Sequence, residues 1–415
     1  MVNKRVLIIS PTPTHPTNAG NRVGVLNIVN YFIRNDCKIF FCYINLENYS
    51  HNDMLSYFDG NFKLIEKDFL RKRSIYHLFQ KFISKLIRVK YWIKFKASLI
   101  SENEWKYNTS LDGLVDRHTI KSVQQLSKQN WDIVVCEYVW ISKLLTLFPK
   151  KTLKIIDTHD KFTNRFEIYT KMNIKPDWIS LHAKEELEGL SRADLIITLN
   201  DNDTNYFKSK MNNRVCKFHF VPKINAVKQK KFSYTLLYLA SDNLNNVSSI
   251  TKFIKEVYPI LKKEESQIKL LIGGSICDKL KVEEESIVLK GKIENPFDFY
   301  SLGDIAVNPE ISGTGFKIKV MEAISYGIPV ISSEIGRLGI ESDDQIELIN
   351  SILIAENAEQ YLEHIRMLAD VNYYSNMVLN SAEAISNMNI KLETNLKNTI
   401  IQLLDEKKDC HINKV

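Results

Sequence analysis

Paired cysteines are missing from this 415-residue chain: Cys37, Cys42, Cys136, Cys216, Cys277 and Cys410 lie far apart, with no C-x-x-C and no Cys/His cluster. That excludes a disulfide framework and a structural zinc site, and the expectation is a chain that stays in a reducing cytoplasm. Long apolar runs are missing as well. Residues 6–9, Val-Leu-Ile-Ile, follow Lys4 and Arg5 but are too few for the core of a signal peptide, and no stretch approaches the ~20 apolar residues that span a bilayer. Residues 10–20 also lack the G-x-G-x-x-G that a doubly wound dehydrogenase carries after its first strand.

What is present describes an enzyme-sized globular protein. Hydrophobic residues make up 44% and charged residues 25%, ordinary values for a packed protein, and the length exceeds what one core usually supports, so two domains are expected. The net charge of +7 favours anionic partners without choosing among nucleotide, lipid and nucleic acid.

Residues 6–10 read as a buried strand, a Pro-rich loop with Gly20 follows, and residues 23–32 show helical apolar spacing. The pattern recurs with strands at 38–44, 132–136, 153–157 and 194–199, and with helices from Val139 and Asp201. Short apolar runs alternating with helices imply a parallel sheet covered on both faces, an α/β doubly wound unit. A polar stretch around residues 222–231 interrupts this, and the same grammar then restarts with strands at 235–239, 269–272, 304–308 and 329–332 and helices near 246–262 and 317–326. The domains expected are therefore residues 1–223 and 232–385. Residues 386–415 hold a last helix, near 390–404, that must bury its apolar face on something other than a sheet of its own, and the first domain is the expected place.

Residues 71–96 depart from this grammar. They carry Arg71, Lys72, Arg73, Lys81, Lys85, Arg88, Lys90, Lys94 and Lys96 with no acidic residue, interleaved with Phe79, Phe82, Trp92 and aliphatic residues at three- and four-residue spacing. That is a basic amphipathic segment. Ordinary solvated helices, attachment to an anionic membrane surface and stacking on nucleic acid are all compatible with it, although no nucleic-acid module is present.

The most informative stretch runs Asn308-Pro309-Glu310-Ile311-Ser312-Gly313-Thr314-Gly315-Phe316-Lys317-Ile318-Lys319-Val320-Met321-Glu322-Ala323, followed by Gly327-Ile328-Pro329-Val330. Standing after a strand and opening a helix, its glycines let backbone approach a ligand, the helix N-terminus offers free amides, and Lys317 and Lys319 add charge where a pyrophosphate would sit. Glu322 on a mostly apolar helix needs a hydrogen-bonding partner, either ribose hydroxyls or Lys319 at i, i+3. His159 and Asp160 follow a strand end, where open α/β sheets meet ligands, or else complete a turn and cap the next helix.

This stretch resembles the C-terminal signature of the retaining family-4 glycosyltransferases of the GT-B fold, in its G-T-G-x-K-x-K-x-x-E-A form before G-x-P-V. Further pieces of the resemblance are residues 11–22 with Gly20, residues 131–138, Ile156-Asp157-Thr158-His159-Asp160, Arg192-Ala193-Asp194, residues 236–246 and Phe299-Tyr300. The resemblance implies two facing Rossmann-like domains with a nucleoside-diphosphate sugar bound in the interdomain cleft. It also implies transfer to an acceptor hydroxyl with retention, in cell-surface polysaccharide or glycolipid biosynthesis. Glu322 would hold the donor ribose, with Gly313, Thr314, Gly315, Lys317, Gly20 and Arg22 also on the donor, and His159, Asp160 and Lys319 in catalysis. Thr314 stands where the family's first glutamate would be, leaving Glu310 as a substitute, and residues 241–246 lack the cations often found there. No D-x-D-like metal site has structural support, so neither metal nor cofactor is expected. The acceptor expected is a glycan or lipid-linked molecule, reached from the cytoplasmic face of a membrane, with no role for nucleic acid. A GT-B sugar-nucleotide epimerase and a non-catalytic sugar-nucleotide-binding subunit are the alternatives.

Overall fold

The computed structural model describes residues 1–17, 19–66, 89, 92–97, 99–171, 175–176, 179–219, 221–227, 231–312, 317–338, 340 and 352–412. The chain divides into two compact units, Met1–Phe218 with Asn395–Val415, and His219–Thr394. Most of the basic segment 71–96, and Gly313, Thr314 and Gly315 of the signature, lie outside the described residues.

The first unit is built on β1 (Arg5–Ser10), β2 (Lys38–Ile44), β3 (Phe62–Ile65), β4 (Ile133–Glu137), β5 (Leu153–Asp157), β6 (Leu195–Thr198) and β7 (Arg214–Lys217), in the order β3-β2-β1-β4-β5-β6-β7. The second carries β8 (Thr235–Leu239), β9 (Lys269–Gly273), β10 (Ile287–Leu289), β11 (Ile305–Asn308), β12 (Val330–Ser332) and β13 (Ile352–Ile354), in the order β10-β9-β8-β11-β12-β13. Every pairing is parallel. Central strands such as Val6-Leu7-Ile8-Ile9 and Ile133-Val134-Val135-Cys136 are wholly buried, as strands covered on both faces must be.

Several local expectations are corrected. The segment after β4 is a 3-10 helix, Val139–Leu147. The helix placed at 246–262 is broken by a π turn, Phe253–Val257, between Leu244–Lys252 and Tyr258–Glu264, and Pro259, which lacks an N–H, sits just after that turn. The last helix is far longer than 390–404: it runs Val371–Ile412, 42 residues. Its early part buries Tyr374 and Met377 in the second unit's core. From Asn395 it belongs to the first unit, where Leu396 and Ile400 are fully buried and Lys407 meets Asp194 at 2.9 Å.

An aspartate just before a strand recurs as a register clamp in both sheets. Asp132, ahead of β4, accepts from the Arg5 backbone N–H at the start of β1 (2.9 Å), and Asp194, ahead of β6, accepts from the Lys154 N–H of β5 (2.8 Å). Asp304, ahead of β11, accepts from the N–H of Ser233 (3.0 Å), the Ser233 hydroxyl (2.8 Å) and the N–H of Thr235 (2.9 Å). Each satisfies N–H groups at a strand start that the ladder leaves over. Since Asp304 is buried with all three bonds on one oxygen, Asp304→Ala should destabilise the second unit by about 2–3 kcal/mol, and Asp304→Asn, which keeps an acceptor, by about half of that. Urea unfolding followed by circular dichroism checks this, and equal midpoints for wild type and Asp304→Ala would refute the clamp.

Candidate functional site

In the second unit, β11 ends at Asn308 and the helix Ile318–Ser325 begins after Lys317, with no side chain capping its N-terminus. Glu310 lies between the two lysines of the signature. Its Oε2 is 2.6 Å from Lys317 Nζ and its Oε1 is 2.6 Å from Lys319 Nζ. Lys319 also donates to Asn246 Oδ1 (2.8 Å), and its ammonium stands 5.6 Å from the centre of the Tyr238 ring. Burial works to raise the Glu310 pKa, but Lys319 and Lys317 outweigh it and hold the carboxyl below its usual value, while burial lowers the Lys319 pKa. One carboxylate against two ammonium groups leaves a buried cluster with net positive charge beside an uncapped helix N-terminus. That arrangement is suited to an anion.

Glu322 lies one turn into the same helix. It does not pair with Lys319, whose ammonium is taken by Glu310; its protein partner is the Tyr300 hydroxyl, which donates to Oε2 at 3.4 Å. Burial with so long a bond pushes its pKa up to about 7. Among the described residues this long bond is the hydrogen bond to the carboxylate, which leaves it able to accept from a hydroxyl ligand. Gly327 ends this helix at φ +73, a left-handed turn that glycine adopts without strain and that sends the chain into Pro329 and β12.

In the first unit, Gly20 opens the helix Gly20–Arg34, again without a side-chain cap. Arg22 is committed to that unit's own loops: its Nη2 donates to Glu47 Oε2 (3.1 Å) and to the Asn48 carbonyl (2.7 Å). Asp160 pairs with Arg165 at 3.2 Å and caps no helix. His159 is buried, with Nε2 2.6 Å from Glu137 Oε2 and 3.9 Å from Asp157 Oδ2. Glu137 and Asp157 are register partners at the ends of β4 and β5. Burial raises the pKa of Glu137 well above the carboxylate range and that of Asp157 to about 7, the latter helped by Glu137 and opposed by His159. Glu137, Asp157 and His159 are residue types that can ligate a metal, and one ligand atom of each lies within 4.8 Å of the others. The 2.6 Å separation is that of a hydrogen bond, however, so a shared proton accounts for it.

Thus Lys317, Lys319 and Glu322 fall on one helix start in the second unit, and Gly20, Arg22, His159 and Asp160 fall in the first. Sequence reasoning missed Glu137, Asn246 and the double pairing of Glu310. For Glu137 a signal existed, an acid ending the apolar run Ile133–Glu137 beside the acid that ends Leu153–Asp157.

Residues 233–370 match a family model described as Glycosyl transferases group 1. The matched residues lie within the second unit. A stretch of 143 residues is 24% identical to an uncharacterized 44.6 kDa protein in the cps region of Klebsiella pneumoniae; the match covers 31% of this chain and 37% of that protein, so the chain spans little more than a third of this curated relative. Among solved structures, TarM is similar with a TM-score of 0.62 at 13% identity, covering 97% of this chain and 98% of TarM. The pneumococcal O-GlcNAc transferase GtfA, solved with UDP and GlcNAc, gives 0.61 at 11% identity, covering 97% and 99%. These likenesses assign the chain the GT-B fold.

The state of Glu322 is open to test. The folded chain favours its neutral form, so stability is lost as pH rises from about 4.5 towards about 7. Glu322→Gln, which stays neutral, should therefore melt about 2–4 °C above wild type at about pH 8 and close to it at about pH 5. Differential scanning calorimetry at both pH values is the check; an identical difference at each would show that the carboxyl is not perturbed.

Proposed function

We propose that the chain is a retaining glycosyltransferase that moves a hexose-type sugar from a nucleoside diphosphate to an acceptor hydroxyl in cell-surface polysaccharide or glycolipid assembly. The observation that carries this reading is the net positive Lys317–Glu310–Lys319 cluster at the uncapped start of the helix that also bears Glu322. The pyrophosphate would lie on the two ammonium groups and the helix amides, with the ribose on Glu322. The cps-region relative supports the polysaccharide context.

In the reaction the bond from the anomeric carbon to the phosphate oxygen breaks, and its electron pair leaves on the diphosphate. The acceptor oxygen bonds to the same face of the anomeric carbon and gives its proton to a phosphate oxygen. Charge therefore develops on the leaving group, where fixed cations and amides contribute the most. No enzyme carboxylate nucleophile is needed, in contrast to a retaining glycosidase. With cations already supplied by lysine, transfer is proposed to be independent of metal, and His159 is proposed as a contact to the transferred sugar.

Alanine at Lys319 or Lys317 should remove about 2–4 kcal/mol of transition-state stabilisation, the scale of losing one preorganised donor. Glu322→Gln should weaken free nucleotide and donor alike. UDP is the first nucleotide to try because it is present in the GtfA structure, with GDP, ADP and dTDP beside it in a thermal-shift screen. Wild-type turnover in both lysine variants, or product confined to an epimerised donor with no sugar on the acceptor, would sink the proposal. Loss of turnover on chelation would remove the metal-independent part alone.

We also propose that the basic segment 71–96 brings the enzyme to an anionic membrane carrying a lipid-linked acceptor. Among its described residues Trp92 and Ile93 are exposed, by 45% and 56%, and each cation near such a surface adds about 1 kcal/mol. Neutralising Lys81, Lys85 and Arg88 together should abolish flotation with anionic liposomes in low salt while leaving turnover on a soluble acceptor fragment intact. Equal flotation of wild type and triple variant would refute it.

A further inference from the structure

We propose that Glu137 is the positioning residue of His159: it holds the imidazole by a proton shared with Nε2, so that Nδ1 carries the second proton and presents an N–H donor to an oxygen of the substrate. Three observations fix the ring. Nε2 lies 2.6 Å from Glu137 Oε2. One face stacks on Tyr138, with centroids 4.3 Å apart and planes 27° from parallel. The Nδ1–Cε1 edge faces Gly24, where a Cβ would stand 3.3 Å from both atoms, so any larger residue there would crowd that edge.

Both residues that frame the ring are bent for the purpose. Tyr138 and His159 have φ of +73 and +58, the left-handed region that is strained for a non-glycine residue. Such strain at two adjacent strand ends is retained only where the surroundings over-determine it.

Proton placement follows from charge. Glu137 is fully buried and His159 nearly so, and the ion contacts described for Glu137 are with His159. The other titratable groups around the ring are Asp157, 3.9 Å from Nε2, and the stacked Tyr138, with Asp160 and Glu47 acting on Tyr138. Asp160 and Glu47 are paired to Arg165 and Arg22, and none of these groups brings an uncompensated cation. A pair holding one proton would bury a net negative charge next to Asp157. A pair holding two is neutral, whichever heavy atom the shared proton sits on, and burial favours it. In either two-proton arrangement Nδ1 is a donor. Its ligand is a sugar hydroxyl or phosphate oxygen, and this part of the inference rests on the glycosyltransferase reading.

The test uses the full chain with 15N-labelled histidine, the His159 signals being assigned by their loss in His159→Asn. In wild type at neutral pH Nδ1 should carry a proton, and the second proton should be shared between Nε2 and Glu137, whichever of the two atoms holds it. In Glu137→Leu nothing shares the Nε2 proton or fixes the tautomer, so Nδ1 should no longer be held protonated, and kcat should fall about 10- to 100-fold with donor KM and UDP affinity unchanged. Should Glu137→Leu fail to fold, Gly24→Ala tests the same edge from the opposite side. Alanine is the better helix former there, and its methyl should lower kcat without altering the histidine spectrum. A wild-type His159 with no proton on Nδ1, or an unchanged spectrum in Glu137→Leu, overturns the proposal. So does a stoichiometric metal in the purified protein that displaces the shared proton. If transfer activity is absent altogether while the Nδ1 proton is present, the glycosyltransferase reading fails and the placement of the protons stands.

Discussion

A parallel sheet covered on both faces has only its strand ends in which to keep a charge, and both units of this chain are organised by that constraint. Interiors of β1, β4, β8 and β11 are apolar and buried, so the carboxylates that the sheets carry stand just before a strand or at and just after its end. Those in front, Asp132, Asp194 and Asp304, accept from the backbone of the neighbouring strand and lock register. Those behind, Glu137, Asp157 and Glu310, have histidine or lysine as partners and lock no neighbouring strand. The two ends of one strand therefore do different work: the front end contributes to stability, and the carboxyl end gathers groups whose charge the fold alone leaves unbalanced.

Much of this was legible in the sequence because burial on both faces writes itself as a continuous apolar run. The central strands could be read directly for that reason. Strands β3, β7, β10 and β13 could not, since they are short and lie towards or at the sheet edges, and Lys63, Arg214 and Lys217 break their apolar pattern. The long helix Val371–Ile412 was shortened in the reading because its buried positions are divided between two units, so no single apolar stripe runs along it.

The candidate sites were legible only where chemistry is local in the chain. Lys317, Lys319 and Glu322 sit within two helical turns and declare themselves by spacing. Glu310 was noticed only as a stand-in for a missing glutamate, whereas both its oxygens are held by lysines. Its neighbours in sequence do not reveal this, because the loop has to fold back for the contacts to exist. Glu137 and His159 are 22 positions apart and meet through the register of β4 and β5. Pairwise register is a property of the sheet, and no local pattern encodes it.

The costs in the structure are concentrated where the proposed chemistry is. Glu322 is held near neutrality with one long hydrogen bond, Glu137 and Asp157 each keep a buried oxygen without a partner, and Tyr138 and His159 occupy strained backbone. Elsewhere comparable carboxylates are well supplied: Asp304 takes three donors and Asp112 is gripped by Arg192 at 2.7 Å. A fold able to satisfy Asp304 so fully has the means to satisfy Glu322. That it does not, at a helix start with excess positive charge, is the pattern expected of groups whose missing partners arrive with a ligand.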